Sequence, residues 1–185
     1  MKPTMVDIEK IGDKLEKFTR DTDDILSRAA QLATNLKTAN DSLGDGALSA
    51  NDYNSIAEAL GPEMNRLITM MLNSSSLLND FIGNFTNELK NFGELDRATK
   101  IQKLMGDSIM NLTAVYDNLQ TNIEQGNKPE EPQRIVKKSI DIVAGIKNVF
   151  AKAKSFLSDL RDKIAPKLDK EKTENKAGDA DIFKL

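Results

Sequence analysis

From Ile8 onward, apolar side chains recur at alternating steps of three and four: Ile8, Ile11, Leu15, Phe18, Ile25, Ala29, Leu32, Leu36, Ala39 and Leu43, with Thr22 as the one polar member. A seven-residue repeat held this long draws a narrow stripe down one side of an α-helix, and the stripe leaves water only against another helix. A strand would need alternation at every second residue. No run of four or more residues shows it together with β-branched enrichment, so strands are not expected.

Three further stripes follow. The second passes through Ile56, Leu60, Met64, Leu67, Met71, Leu78, Phe81, Phe85, Leu89 and Phe92, with Ser74 as its polar gap. The third uses Ile101, Met105 or Leu104, Ser108, Leu112, Val115, Leu119 and Ile123. The fourth uses Val136, Ile140, Val143, Ile146, Phe150, Ala153, Leu157, Leu160 and Ile164. Turn-forming residues punctuate them: Gly44, Gly46 and Ser49 after the first, Gly93 after the second, and Gly126, Pro129 and Pro132 after the third. Pro166 is expected to close the fourth helix, and a Pro62 lying well inside the second would kink it.

The expected fold is all-α, an elongated antiparallel bundle of four long helices at about 5–42, 52–91, 94–125 and 132–165. Together they make one domain over 1–166, followed by a charged tail or linker over 167–185. At 1.5 Å per residue the rod would be roughly 50–60 Å long.

Composition narrows the function. Among 185 residues there is no Cys and no His, which removes disulfides, thiolate nucleophiles, the commonest general base and the commonest metal ligand. Catalysis would have to rest on paired carboxylates or a carboxylate metal site. The expectation is a protein that is not an enzyme and holds no cofactor or metal. The first twenty residues carry charges throughout in place of an apolar segment, so no cleavable signal peptide is expected.

Net charge is −3 overall, but residues 1–133 sum to −8 and residues 134–167 to +6. Arg134, Lys137, Lys138, Lys147, Lys152, Lys154, Arg161 and Lys163 are read as a solvated face beside acidic neighbours. No stacking aromatics interleave them, so nucleic acid is not an expected partner.

Candidate chemical constellations fall short on their own terms. Asp41 to Asp52 has the length of a calcium loop with acids at its first, fifth and twelfth positions, but its third position is Leu43, which offers no oxygen. Asp21, Asp23 and Asp24 crowd one stretch of helix, yet near-consecutive positions point apart. The seven Met residues, Met70 and Met71 among them, suit core filling or an adaptable binding groove.

The stretch DSLGDGALSANDYNSI at 41–56, preceded by a heptad helix and followed by LGPEMNRLITMMLNSSSLLNDFIGNF, resembles the LXG domain of bacterial type VII secretion substrates. In that family a long helix leads to a Leu-x-Gly turn, then a Tyr and a second long helix. Leu48, Ser49 and Ala50 occupy the motif, with Tyr53 and Ile56 after it. Ala50 stands where the family has Gly. The resemblance implies an N-terminal targeting domain of a polymorphic toxin, with Leu48, Ser49, Ala50, Tyr53 and Ile56 as its binding residues.

It also implies small helical WXG-like partner or chaperone proteins, the secretion machinery, and secretion from the bacterial cytoplasm through a type VII system. Membrane contact would occur only in transit. The family's helical-hairpin relatives carry Tyr-x-x-x-Asp/Glu as an export signature. Tyr53 is followed four residues on by Ala57 and Tyr116 by Gln120, so a partner would supply that signal. Phe92-x-x-x-Asp96 matches a short motif of such partners but is of a length that chance readily supplies. The alternative from the long amphipathic helices and the basic fourth helix is a membrane-active, pore-forming component.

Overall fold

The computed structural model describes the backbone of residues 5–44, 50–125 and 130–182, and the side chains of 9–42, 54–121 and 133–165. It is all-helical, with five helices packed on one another: α1 (Met5–Gly44), α2 (Ala50–Asn84), α3 (Thr86–Asn91), α4 (Leu95–Gln125) and α5 (Glu130–Ile182). Among the described residues there is no strand.

The heptad stripe of α1 is the core face. Every member from Ile11 to Ala39 is buried, including Thr22, whose hydroxyl donates to the Phe18 carbonyl at 2.8 Å and so carries no unmet hydrogen bond inward. Core positions on α2, α4 and α5 complete one continuous cluster, in which Phe150, Phe156, Leu67, Met71 and Leu78 are among the most deeply buried.

Polar contacts record how the helices are paired. Asp23 meets Lys154 at 2.8 Å and Thr19 meets Arg161 at 3.1 Å, so residue numbers rise along α1 as they fall along α5. Arg97 reaches Asp159 at 2.6 Å and Glu94 reaches Lys163 at 2.6 Å, giving α4 and α5 the same opposed sense. The Gln102 amide donates to both the carbonyl and hydroxyl oxygens of Ser75, and Gly61 lies beside Gln120, which sets α2 against α4. The Asn35 amide donates to Glu63 at 2.9 Å across α1 and α2.

Three expectations are corrected. The helix expected over 52–91 is divided: α2 ends at Asn84, Phe85 leaves helical geometry at φ −123°, ψ 32°, and α3 begins at Thr86. Gly83 and Asn84 are weak helix formers, and the Thr86 hydroxyl takes the Ile82 carbonyl at 2.6 Å, a local bond that competes with the ladder. The stripe itself is not interrupted, because Phe85 stays buried and packs on Phe81 with ring centres 5.1 Å apart.

Second, α5 does not close at Pro166 but runs on to Ile182, so residues 167–182, expected as a tail, belong to a helix. One missing amide costs about 3 kcal/mol locally, and the Lys, Leu and Glu residues beyond it favour helix. Third, Ser139 occupies the buried position expected of Ile140, which is only half-buried. Its hydroxyl donates to the Ile135 carbonyl at 2.7 Å, which makes a buried serine tolerable there.

The turn expected at Gly93 is present and has an identifiable form. Glu94 N–H donates to the Leu89 carbonyl and Gly93 N–H to the Lys90 carbonyl, while Gly93 takes φ +71°. These paired bonds around a left-handed residue are a Schellman cap, and they turn the chain from α3 into α4.

Candidate interaction site

The residues singled out from the sequence are not assembled into a described site. Leu48 and Ser49 lie outside the described residues. Ala50 begins α2 and Tyr53 falls in its first turns, with neither side chain described. Ile56 is half-buried against the core. The calcium-loop positions 45–49 are likewise outside the described residues, and among those described no three acidic side chains converge where a metal ion could sit.

Of the clustered Asp21, Asp23 and Asp24, one points away from the other two. Asp23 turns to Lys154 of α5, while Asp21 and Asp24 face the gap between α1 and α2. The basic residues of α5 serve the fold in part: Lys154, Arg161 and Lys163 hold α5 to Asp23, Thr19 and Glu94. The two adjacent methionines divide, Met71 into the core and Met70 into the lining of a cavity.

Among the described residues, that cavity lies in file with two others along the seam between α1 and α2. The first has a volume of about 290 Å³, and its lining includes Leu15, Phe18, Leu77, Leu78 and Phe81, with Leu157 of α5 reaching it from beneath. The second, of about 110 Å³, lies among Asp21, Asp24, Ile25, Met70 and Asn73. The third, of about 180 Å³, lies among Arg28, Gln31, Pro62, Glu63 and Arg66. From residue 14 to residue 31 of α1 the file spans about 26 Å, close to five helical turns.

Leu157 borders the first cavity while staying only 2% exposed, so the gap between α1 and α2 reaches down to the core at that level without laying α5 bare. Pro62 contributes at the other end: it cannot donate to the Glu58 carbonyl, so the ladder of α2 lacks one rung beside the third cavity. The first two cavities pair apolar side chains with Lys and Asp at the rim, and the third is bordered mainly by Arg28, Gln31, Glu63 and Arg66. The lining holds no nucleophile set beside a base, and its geometry suits a helix face better than a small polar substrate.

The sequence carried a signal for this seam in the width of the α2 stripe. Met70, Leu72 and Leu77 add apolar surface outside the positions a narrow stripe requires. Met70 and Leu77 line the seam, whereas Leu72 is 51% exposed. Among the described residues no helix is long and apolar enough to cross a membrane. No family model matches this chain, and no curated protein or solved structure is similar enough to it to count as a match.

Proposed function

We propose that this chain is a non-catalytic targeting and interaction domain of a type VII secretion effector. In this reading α1, α2, α4 and α5 form an antiparallel bundle of four long helices, and the bundle binds small helical partner or chaperone proteins and directs export. The observation that carries the reading is the seam between α1 and α2, apolar at the floor of its first cavity and charged along its rim. A partner helix entering it would bury its own apolar stripe by the same packing that holds the bundle together.

The resemblance of residues 41–56 to the LXG turn adds the secretion context, and the missing catalytic inventory supports a binding role. The test is co-expression with the short helical proteins encoded beside the gene, followed by an export assay. Stable co-purification, and loss of export when residues 1–92 are deleted, are the expected results. Absence of any co-purifying partner, together with export that survives the deletion, would refute the proposal. Leakage of dye from liposomes on addition of the pure protein would favour a membrane-active function instead.

A further inference from the structure

The rim of the seam is charged in blocks one heptad apart. Along α1, Lys14 and Lys17 border the first cavity, Asp21 and Asp24 the second, and Arg28 the third. On the α2 side, Asp80 lies at the level of the lysines, the uncharged Met70 and Asn73 at the level of the aspartates, and Glu63 with Arg66 at the level of Arg28. Lys14 and Lys17 outnumber Asp80, and Arg28 and Arg66 outnumber Glu63, so each level keeps a net sign: positive, negative, positive.

Apart from Lys14, which leans on an aromatic ring, the α1 charges are not consumed by the fold. Lys14 stands 5.8 Å over the Phe85 ring, and among the described residues no ion pair within 4.0 Å engages Lys17, Asp21, Asp24 or Arg28. By contrast Asp23, on the neighbouring face of the same helix, is paired with Lys154.

Resting on the proposed docking function, we infer that the seam selects an amphipathic helix from a different chain whose flanks read acidic, basic, acidic at successive heptads. The order reads the same from either end, so the partner helix satisfies it running in either direction. It also disfavours a second copy of this chain docked seam to seam in register. A twofold axis through the middle level would set Asp21 and Asp24 against their own equivalents and the two basic levels against each other. Complementary charge thus acts as the filter, while the apolar floor supplies the adhesion.

The test uses the full chain and three synthetic helices of about 21 residues sharing one apolar heptad stripe. Their flanks carry acid–base–acid, base–acid–base, or Gln throughout, and binding is read by fluorescence anisotropy. Exposed pairs are individually weak, so four together amount to about a tenfold preference, shrinking as salt is raised. The base–acid–base helix is the more cationic, so overall attraction to a chain of net charge −3 would favour it. Preference for acid–base–acid cannot come from that attraction.

The expected result is tightest binding of the acid–base–acid helix. The preference should reverse in the variant K14E/K17E/D21K/D24K/R28E, checked for unchanged helix content. Equal binding of all three helices would overturn the charge filter while leaving the docking function standing. Tighter binding of base–acid–base would do the same. Binding of none would overturn both, and an in-register dimer cross-linked through the seams of two copies would overturn the exclusion of that pairing.

Discussion

Replacing Lys163 with Met tests how the end of the bundle near the α3–α4 turn is held. Glu94 is only 5% exposed, and its carboxylate accepts from Lys163 at 2.6 Å, with Arg97 farther off at 3.6 Å and one oxygen lacking a hydrogen bond. Lys163 also donates to the Phe92 carbonyl at 3.0 Å, next to the Gly93 cap. Stranding a fully buried charge costs about 3–5 kcal/mol. Here the Lys163 side chain is 44% exposed, so water reaches the site and Arg97 can close in, which lowers that share to about 1 kcal/mol. The lost bond to Phe92 adds about 1 kcal/mol. Lys163→Met should therefore destabilise by about 2 kcal/mol, read by urea unfolding followed by circular dichroism.

The pairing of that variant with Glu94→Leu isolates the cause. With the carboxylate gone, Lys163→Met loses only its bond to the carbonyl, and the double-mutant cycle should give a coupling of about 1 kcal/mol. A Lys163→Met cost under about 0.5 kcal/mol, with strictly additive effects, would refute the clamp.

Three further outcomes follow from the core and the turn. Phe18 is buried and also lines the first cavity of the seam, so Phe18→Ala should cost about 3 kcal/mol in the same unfolding assay. Ser74 is 1% exposed with a hydroxyl that lacks a partner. Ser74→Ala should leave the fold unharmed and raise stability by about 1 kcal/mol, and a loss would show that the hydroxyl is satisfied in solution. Gly93→Ala meets no atom but keeps φ +71°, so it should cost about 1–2 kcal/mol from backbone conformation alone, visible as a lower midpoint at an unchanged m-value.

The fold was legible where one physical rule dominated. The stripe of α1 named every buried position from Ile11 to Ala39, because a long two-sided helix has no other way to hide its apolar residues. It was illegible where two rules competed. At Phe85 the apolar stripe continues while the backbone does not, so periodicity alone joins α2 to α3. Ser139 displaced Ile140 because a serine that bonds its own helix behaves as a small core residue. Pro166 signals a terminator, yet the residues after it favour helix and α5 continues.

The candidate site was less legible for a different reason. A seam belongs to two helices and to the spacing between them, and neither α1 nor α2 alone states that Leu157 of α5 will border it. The alternating rim was present in the sequence as Lys14, Asp21 and Arg28 at sevenfold spacing. It acquires meaning only once those three are seen to border the same gap.

The central claim, that another helix occupies the gap between α1 and α2, is tested most directly by site-specific photo-crosslinking. A photoreactive side chain is placed at Leu77, in the seam, or at Met110, which is 71% exposed on α4 and outside it. Each variant is then co-expressed with the neighbouring helical proteins. Crosslinks to a partner from position 77 and none from position 110 are expected. A partner that binds but crosslinks from 110 and not from 77 would contradict the account.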